Sequence, residues 1–439
     1  KNFPVQYEQY LKTAEMEGTK YAGAHAVEQE PTELDPRTVV GTSRLEEDPR
    51  LRDMWAGYAF ATDYRHARGH AYMLEDQRLT KRVTEFNQPG ACLNCHASPV
   101  NIMNELGDGD MMAGFDEMNK MPYVEVTQMA EHPVSCLDCH EPDTMALRVT
   151  RPAFMTGIAA LRASEGIEDY DVNRDATAQE MRSFVCAQCH VEYYFAGDDK
   201  TLTFPWSNGL RIEDIVAHYD EYDFVDWTHA TTGATMLKAQ HPEFDVWSQG
   251  VHASAGVSCA DCHMPYTREG ASKVSEHWLR SPVNNLNTSC GTCHTDDEET
   301  MRDRIYKIQD QFVSVRDTTF DGLVALIRDL ETAQTNGTPE DRINLAREYQ
   351  RLSSFYLDYV YSENSYGFHA PEYSLEILHN SQNWARMGQL ALQGMPREEI
   401  ERQFEGTTIP FGGETPGEAH VINPGLVDSR AVMEKVAAD

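Results

Sequence analysis

The 439-residue chain is short of positive charge: 37 basic residues stand against 71 acidic ones, a formal net charge of −34. Binding to nucleic acid needs a basic footprint and is excluded on that ground. The balance favours solubility, partners with a basic face, and carboxylates available to Ca²⁺. Long apolar runs are also missing. No stretch of about 18 hydrophobic residues occurs, so no transmembrane helix is expected. The opening, KNFPVQYEQYLKTAEMEG, is polar from the start, and no secretory leader is expected in it. For an exported protein this reads as the mature form. Spare cysteine is absent as well. All ten cysteines fall within five Cys-x-x-Cys-His motifs, which leaves none for a disulfide or a free thiol.

The motifs are Cys92/Cys95/His96, Cys136/Cys139/His140, Cys186/Cys189/His190, Cys259/Cys262/His263 and Cys290/Cys293/His294. Two thiols three residues apart can each form a thioether with a vinyl group of one porphyrin. The adjacent imidazole then turns onto the iron. Zinc also accepts Cys-x-x-Cys pairs, but a zinc site does not require histidine directly after the second cysteine. Five covalently bound haem c groups are therefore expected, and with them a bacterial periplasmic location. The motifs start 44, 50, 73 and 31 residues apart. So little chain per haem leaves no room for separate cores, and the porphyrins must supply much of the core themselves. Seventeen histidines occur, and the motifs use five of them. A haem with a second histidine is saturated and relays electrons, whereas one without it can bind a substrate.

The expected fold class is mainly α: a loop-rich, haem-packed body with short helices, followed by long C-terminal helices. Residues 1–297 form the expected pentahaem catalytic region. The aromatic stretch "MWAGYAFATDYRHARGHAYM" within it reads as cover for haems. Residues 298–404 form a long-helix region. Its first helix is predicted over about 298–333, with Ile305, Ile308, Phe312, Val315, Leu323, Leu326, Ile327 and Leu330 at three- and four-residue steps. The second is predicted to start at Thr338-Pro339, with Thr338 as N-cap and Pro339 at the first helical position. The third is predicted over about Pro371 to Gln393, stopped by Gly394. Residues 405–439, rich in Gly and Pro, read as an irregular surface tail.

Three stretches, "CAQCHVEYYF" (186–195), "MLKAQHPEFDVW" (236–247) and "CADCHMP" (259–265), resemble the pentahaem cytochrome c nitrite reductases, periplasmic enzymes that reduce nitrite to ammonium. The resemblance runs from about Trp55 to Pro371 and keeps the order of the five motifs. It implies that Tyr193 and His241 are the active-site tyrosine and histidine. It implies a Ca²⁺ held by Glu192 through its carboxylate, by Tyr193 and Lys238 through backbone carbonyls, and by Gln240 through its side-chain oxygen. It also implies second axial histidines: His70 for the third haem, His252 for the fifth, His277 for the second and His369 for the fourth. No such partner matches the first haem, which would be the open, catalytic one. The family usually has lysine where this chain has His96. The active-site arginine best matches Arg82 in "DQRLTKRV", with Arg78 as the other candidate.

The implied activity is six-electron reduction of nitrite, with hydroxylamine or sulfite as related substrates. The other reading is a non-enzymatic electron-transfer cytochrome with all five haems capped. A third, a multihaem hydroxylamine oxidase, lacks its motif count. The implied partners are a membrane-anchored multihaem quinol dehydrogenase or a small soluble cytochrome as electron donor. A second copy of the chain would pack on the C-terminal helices as a homodimer.

Overall fold

The computed structural model describes residues 2–406; the expected tail lies, past 406, outside the described residues. The fold is mainly helical. In the amino-terminal two thirds the helices are short, the longest being Pro152–Ser164, and the only sheets among the described residues are two-stranded. Such a body has few regular elements to bury against one another. Its chain instead wraps a large internal cavity, described below.

The motif segments form helical turns for a local reason. Asp138 reaches back to the backbone N–H of Ser135 at 2.6 Å, and Asp261 to that of Ser258 at 2.8 Å. Each aspartate sits between the two cysteines of its motif, at the third helical position, where a carboxylate satisfies an otherwise orphaned N–H. The helix Ala178–Ala187, which leads into the third motif, carries a reciprocal capping box of Thr177 and Glu180. These caps set each cysteine pair on one turn without needing a long helix.

The C-terminal region is different in kind. Helices Glu298–Thr335, Glu340–Ser362 and Pro371–Gln393 pack on one another, followed by a shorter Arg397–Phe404. The first and third match the predicted ranges. Gly394 stops the third in the left-handed conformation, at φ 94°, as its position suggested. The second starts later than predicted. Pro339 is its N-cap rather than its first residue, and Thr338 does not cap it. The cause is Asn336, whose Oδ1 accepts from both the backbone N–H and the hydroxyl of Thr338, at 3.1 and 2.7 Å. That local turn holds the threonine outside the helix.

These helices do not simply extend from the body. Phe320, Leu323, Ile327, Phe355, Tyr356 and Tyr359 share one core with Trp55, Tyr64 and Tyr219 of the amino-terminal region. A second core, around Phe154, Phe184, Trp206 and Phe244, backs the first and third motifs. Among the described residues no helix is long and apolar enough to cross a membrane.

Candidate active site

One cavity of about 2200 Å³ runs through the body, and all five motifs line it. The thiols of neighbouring motifs meet there: Cys95 lies against Cys189, and Cys186 against Cys259. The first motif therefore abuts the third, and the third abuts the fourth. The aromatic stretch flagged as cover lies along the same cavity through Tyr58, Phe60 and Tyr64.

Histidine rings face one another across this cavity in four pairs. His70 and His190 have centroids 6.2 Å apart, His140 and His277 6.2 Å, His252 and His294 6.3 Å, and His263 and His369 6.4 Å. Two imidazoles bound to one metal at about 2.0–2.1 Å through Nε2 place their centroids about 6.3 Å apart. All four gaps therefore have the width of a bis-histidine iron. Several rings are anchored through Nδ1, which leaves Nε2 aimed into the gap. His140 contacts the carbonyl of Met145 at 2.8 Å, His277 that of Ser275 at 2.8 Å, and His263 that of Arg280 at 3.2 Å. Such outer contacts fix ring orientation at a metal. Gly250 contributes to this order. A Cβ there would meet the carbonyl oxygen of His369 at 2.1 Å, so only glycine lets the His252 turn approach so closely.

The first motif departs from the pattern. His96 is anchored on the carbonyl of Met73 at 3.3 Å, yet no histidine ring faces it among the described residues. Its basic neighbours are His241 and Arg82, of which Arg82 carries the fixed charge. Burial first, and then these neighbours, push His96 down to about 3; burial, His190, Lys238 and Arg82 push His241 down to about 4. In a strongly acidic protein this corner is locally positive. Tyr193 stands in the same corner, beside Cys95, Cys92, Tyr58 and Arg82, and burial holds its phenol well above the usual range.

The two candidate arginines separate clearly. Arg78 is turned into the scaffold, where it donates to the Thr127 hydroxyl at 2.9 Å, to the Ala130 carbonyl at 2.7 Å and to the Thr127 carbonyl. Arg82 lines the cavity. Its guanidinium stacks 4.2 Å from the Phe60 ring centroid, and Nε lies 3.4 Å from the Thr80 hydroxyl. No carboxylate pairs with it among the described residues, so its charge is uncommitted.

Behind the cavity wall lies the set expected for Ca²⁺. Glu192 is fully buried; it accepts from the Tyr219 hydroxyl at 2.9 Å and from the backbone N–H of Gln240 at 2.7 Å. No cation pairs with it among the described residues, and burial holds its carboxyl well above the ordinary range. Gln240 Nε2 lies 3.4 Å from the Lys238 carbonyl, so the amide and that carbonyl converge beside Glu192. A buried carboxylate without an ion-pair partner, with the Asp245 carboxylate nearby and neutral oxygen donors around it, fits a hard divalent cation, which would offset its desolvation.

Sequence reasoning missed four residues of this region. Phe60 was noted only as haem cover, yet it is the platform for Arg82. Glu243, two positions beyond His241, lies 3.7 Å from His190 Nδ1, and its closeness in sequence was a usable signal. Glu363 and Asp358 come from the far end of the second long helix, with no local sign of their role.

The cytochrome c552 family matches residues 1–413. A cytochrome c-552 of Parabacteroides distasonis is 36% identical over 397 residues, covering 89% of this chain and 74% of that one. The cytochrome c nitrite reductase subunit NrfA of Nitratidesulfovibrio vulgaris is 32% identical over 415 residues, covering 88% and 74%. The solved catalytic subunit of the Desulfovibrio desulfuricans cytochrome c nitrite reductase, described with two calcium sites, superposes with a TM-score of 0.76 at 29% identity, over 93% of this chain and 87% of that one. Motif count, fold and relatives agree: the chain belongs to the cytochrome c552 family, the ammonia-forming cytochrome c nitrite reductases.

Proposed function

We propose that this chain reduces nitrite to ammonium in the bacterial periplasm at its first haem site, with His96 as proximal ligand in place of the family's usual lysine. The observation that carries this reading is the asymmetry among the motifs. Four motif histidines face a second histidine, and the fifth, His96, has Arg82, Tyr193 and His241 around it instead. His70, His252, His277 and His369 would hold the other four haems from the side opposite their motif histidines. Haem c supplies an electron path and, where uncapped, an iron position open to the substrate nitrogen.

The residues divide the remaining work. Nitrite takes up six electrons and eight protons to give ammonium and two waters. Arg82 attracts the anion, because its guanidinium is permanently charged and no carboxylate competes for it. Stacking on Phe60 holds the fork without consuming its donors. His241, kept neutral by burial, donates its ring N–H to a substrate oxygen and serves as the route for a proton. Tyr193 stays protonated and presents a second donor. Glu192, Gln240 and the carbonyls of Tyr193 and Lys238 would hold Ca²⁺, which would tie the segment of Tyr193 to that of His241 and add positive charge for an entering anion.

Residues 1–297 constitute the catalytic body and 298–404 the face on which a second copy packs. Electrons arrive from a membrane-anchored multihaem quinol dehydrogenase or a small soluble cytochrome with a basic docking face, which the net charge of −34 favours. Electron paramagnetic resonance of the oxidised holoprotein tests the core of this reading. One high-spin and four low-spin haems are expected. Five low-spin signals would instead identify a capped relay.

A further inference from the structure

The histidines that face the cavity differ in what their Nδ1 atoms meet. His96, His140, His263 and His277 meet backbone carbonyls. Two others face buried carboxylates, one in contact and one beyond hydrogen-bond distance, where only its charge acts. His369 Nδ1 lies 2.7 Å from Glu363 Oε1, and His190 Nδ1 lies 3.7 Å from Glu243 Oε2. Neither carboxylate pairs with a lysine or arginine among the described residues, and the mechanism above uses neither.

One short turn serves both. Glu363, Asn364 and Ser365 open the segment 363–370 that connects the second long helix to the third. Glu363 is held by the Ser365 backbone N–H at 3.0 Å and by its hydroxyl at 2.7 Å; the same hydroxyl accepts from the backbone N–H of His369 at 2.9 Å. Asn364 donates to Glu243 Oε1 at 2.5 Å, and its own carbonyl accepts from Arg44 at 3.1 Å. The turn therefore fixes one carboxylate against a histidine of the fourth haem pair and the other against a histidine of the third.

A carboxylate behind an imidazole N–H makes the ring a stronger electron donor than a carbonyl does, and it places negative charge near the iron. Both effects favour the oxidised metal. Resting on the haem assignment above, we propose that Glu363, assisted by Glu243, is a redox-tuning residue that makes the fourth and third haems the low-potential members of the relay. Their motifs abut through Cys186 and Cys259, and the third abuts the first through Cys95 and Cys189. Each electron would then leave a low-potential pair for the catalytic haem rather than collect on the relay. Glu363 acts through His369 and is a positioning residue.

The test is a spectroelectrochemical titration of the holoprotein, with the low-spin signals followed at each potential. Glu363→Gln keeps the shape and one of the two Ser365 donors but removes the charge. One one-electron step is expected to move to higher potential and one low-spin signal to shift, with the other four steps unchanged. Glu243→Gln should move a different step, by less, because its contact is longer. Should Glu363→Gln fail to assemble, Ser365→Ala frees a carboxylate oxygen and should move the Glu363-linked step downward. Unchanged potentials, or an equal shift of all five steps, overturn the proposal. A wild-type protein with fewer than five haems, or without four low-spin signals, instead overturns the assignment on which it rests.

Discussion

His241→Ala is expected to lower nitrite turnover by about two orders of magnitude, within the usual reach of general acid–base catalysis, while all five haems stay attached. Haem content should hold because His241 belongs to no motif and faces no motif histidine across an axial gap. Turnover should fall because His241 and Arg82 are the groups beside His96 able to donate to a substrate oxygen from opposite chemical starting points, one titratable and one fixed in charge. The loop should survive the change. The backbone of His241 accepts from the N–H of Glu243 at 2.8 Å, and Phe244 is tied to the His190 carbonyl at 3.0 Å, neither of which involves the imidazole. Nitrite-dependent oxidation of a reduced dye, normalised to haem absorbance, gives the comparison. Wild-type turnover in the variant would remove His241 from the mechanism.

Much of the site could be read in the sequence because haem c attachment is a local chemical requirement. Cys-x-x-Cys-His must be contiguous, so the five candidate attachment sites stand in plain view. The same holds for Glu192–Tyr193 and Lys238–His241, where proposed ligand and proposed active-site residue are neighbours in the chain. The C-terminal helices were legible because a stripe such as Ile305, Phe312 and Leu323 has one reading at that length. What escaped is what depends on contacts far apart in sequence. Arg78 and Arg82 are four residues apart and look alike as text. Packing alone turns the first onto the carbonyl of Ala130 and the second onto the ring of Phe60. The start of the second long helix was misplaced because the side chain of Asn336 competes for Thr338, a preference that a capping rule does not contain.

The long-range clamp on the active-site loop yields the largest expected stability effect. Asp358, on the second long helix, accepts from Lys238 Nζ at 3.0 Å, from the backbone N–H of Ala239 at 3.1 Å and from Trp55 Nε1 at 3.3 Å. Both charged side chains are about 1% exposed. Asp358→Ala would leave Lys238 buried beside Ser362, the carbonyl of Ala239 and the rings of Trp55 and Phe60, with no carboxylate within ion-pair distance among the described residues. Stranding a buried charge in this way costs about 3–5 kcal/mol, a large share of the roughly 5–15 kcal/mol typical of a domain. A marked fall in the denaturant midpoint is expected, with loss of turnover, because Lys238 and Ala239 lead directly into Gln240 and His241. The double variant Lys238→Met with Asp358→Ala separates the two effects. It leaves the Lys238 carbonyl in place and strands no charge, so most of the stability should return. Turnover should not return, because Ala239 has lost the acceptor that fixes the loop against the helix. Recovery of both together would show that Asp358 serves only to neutralise Lys238. Recovery of stability alone would show that a residue of the long-helix region sets the position of the catalytic histidine.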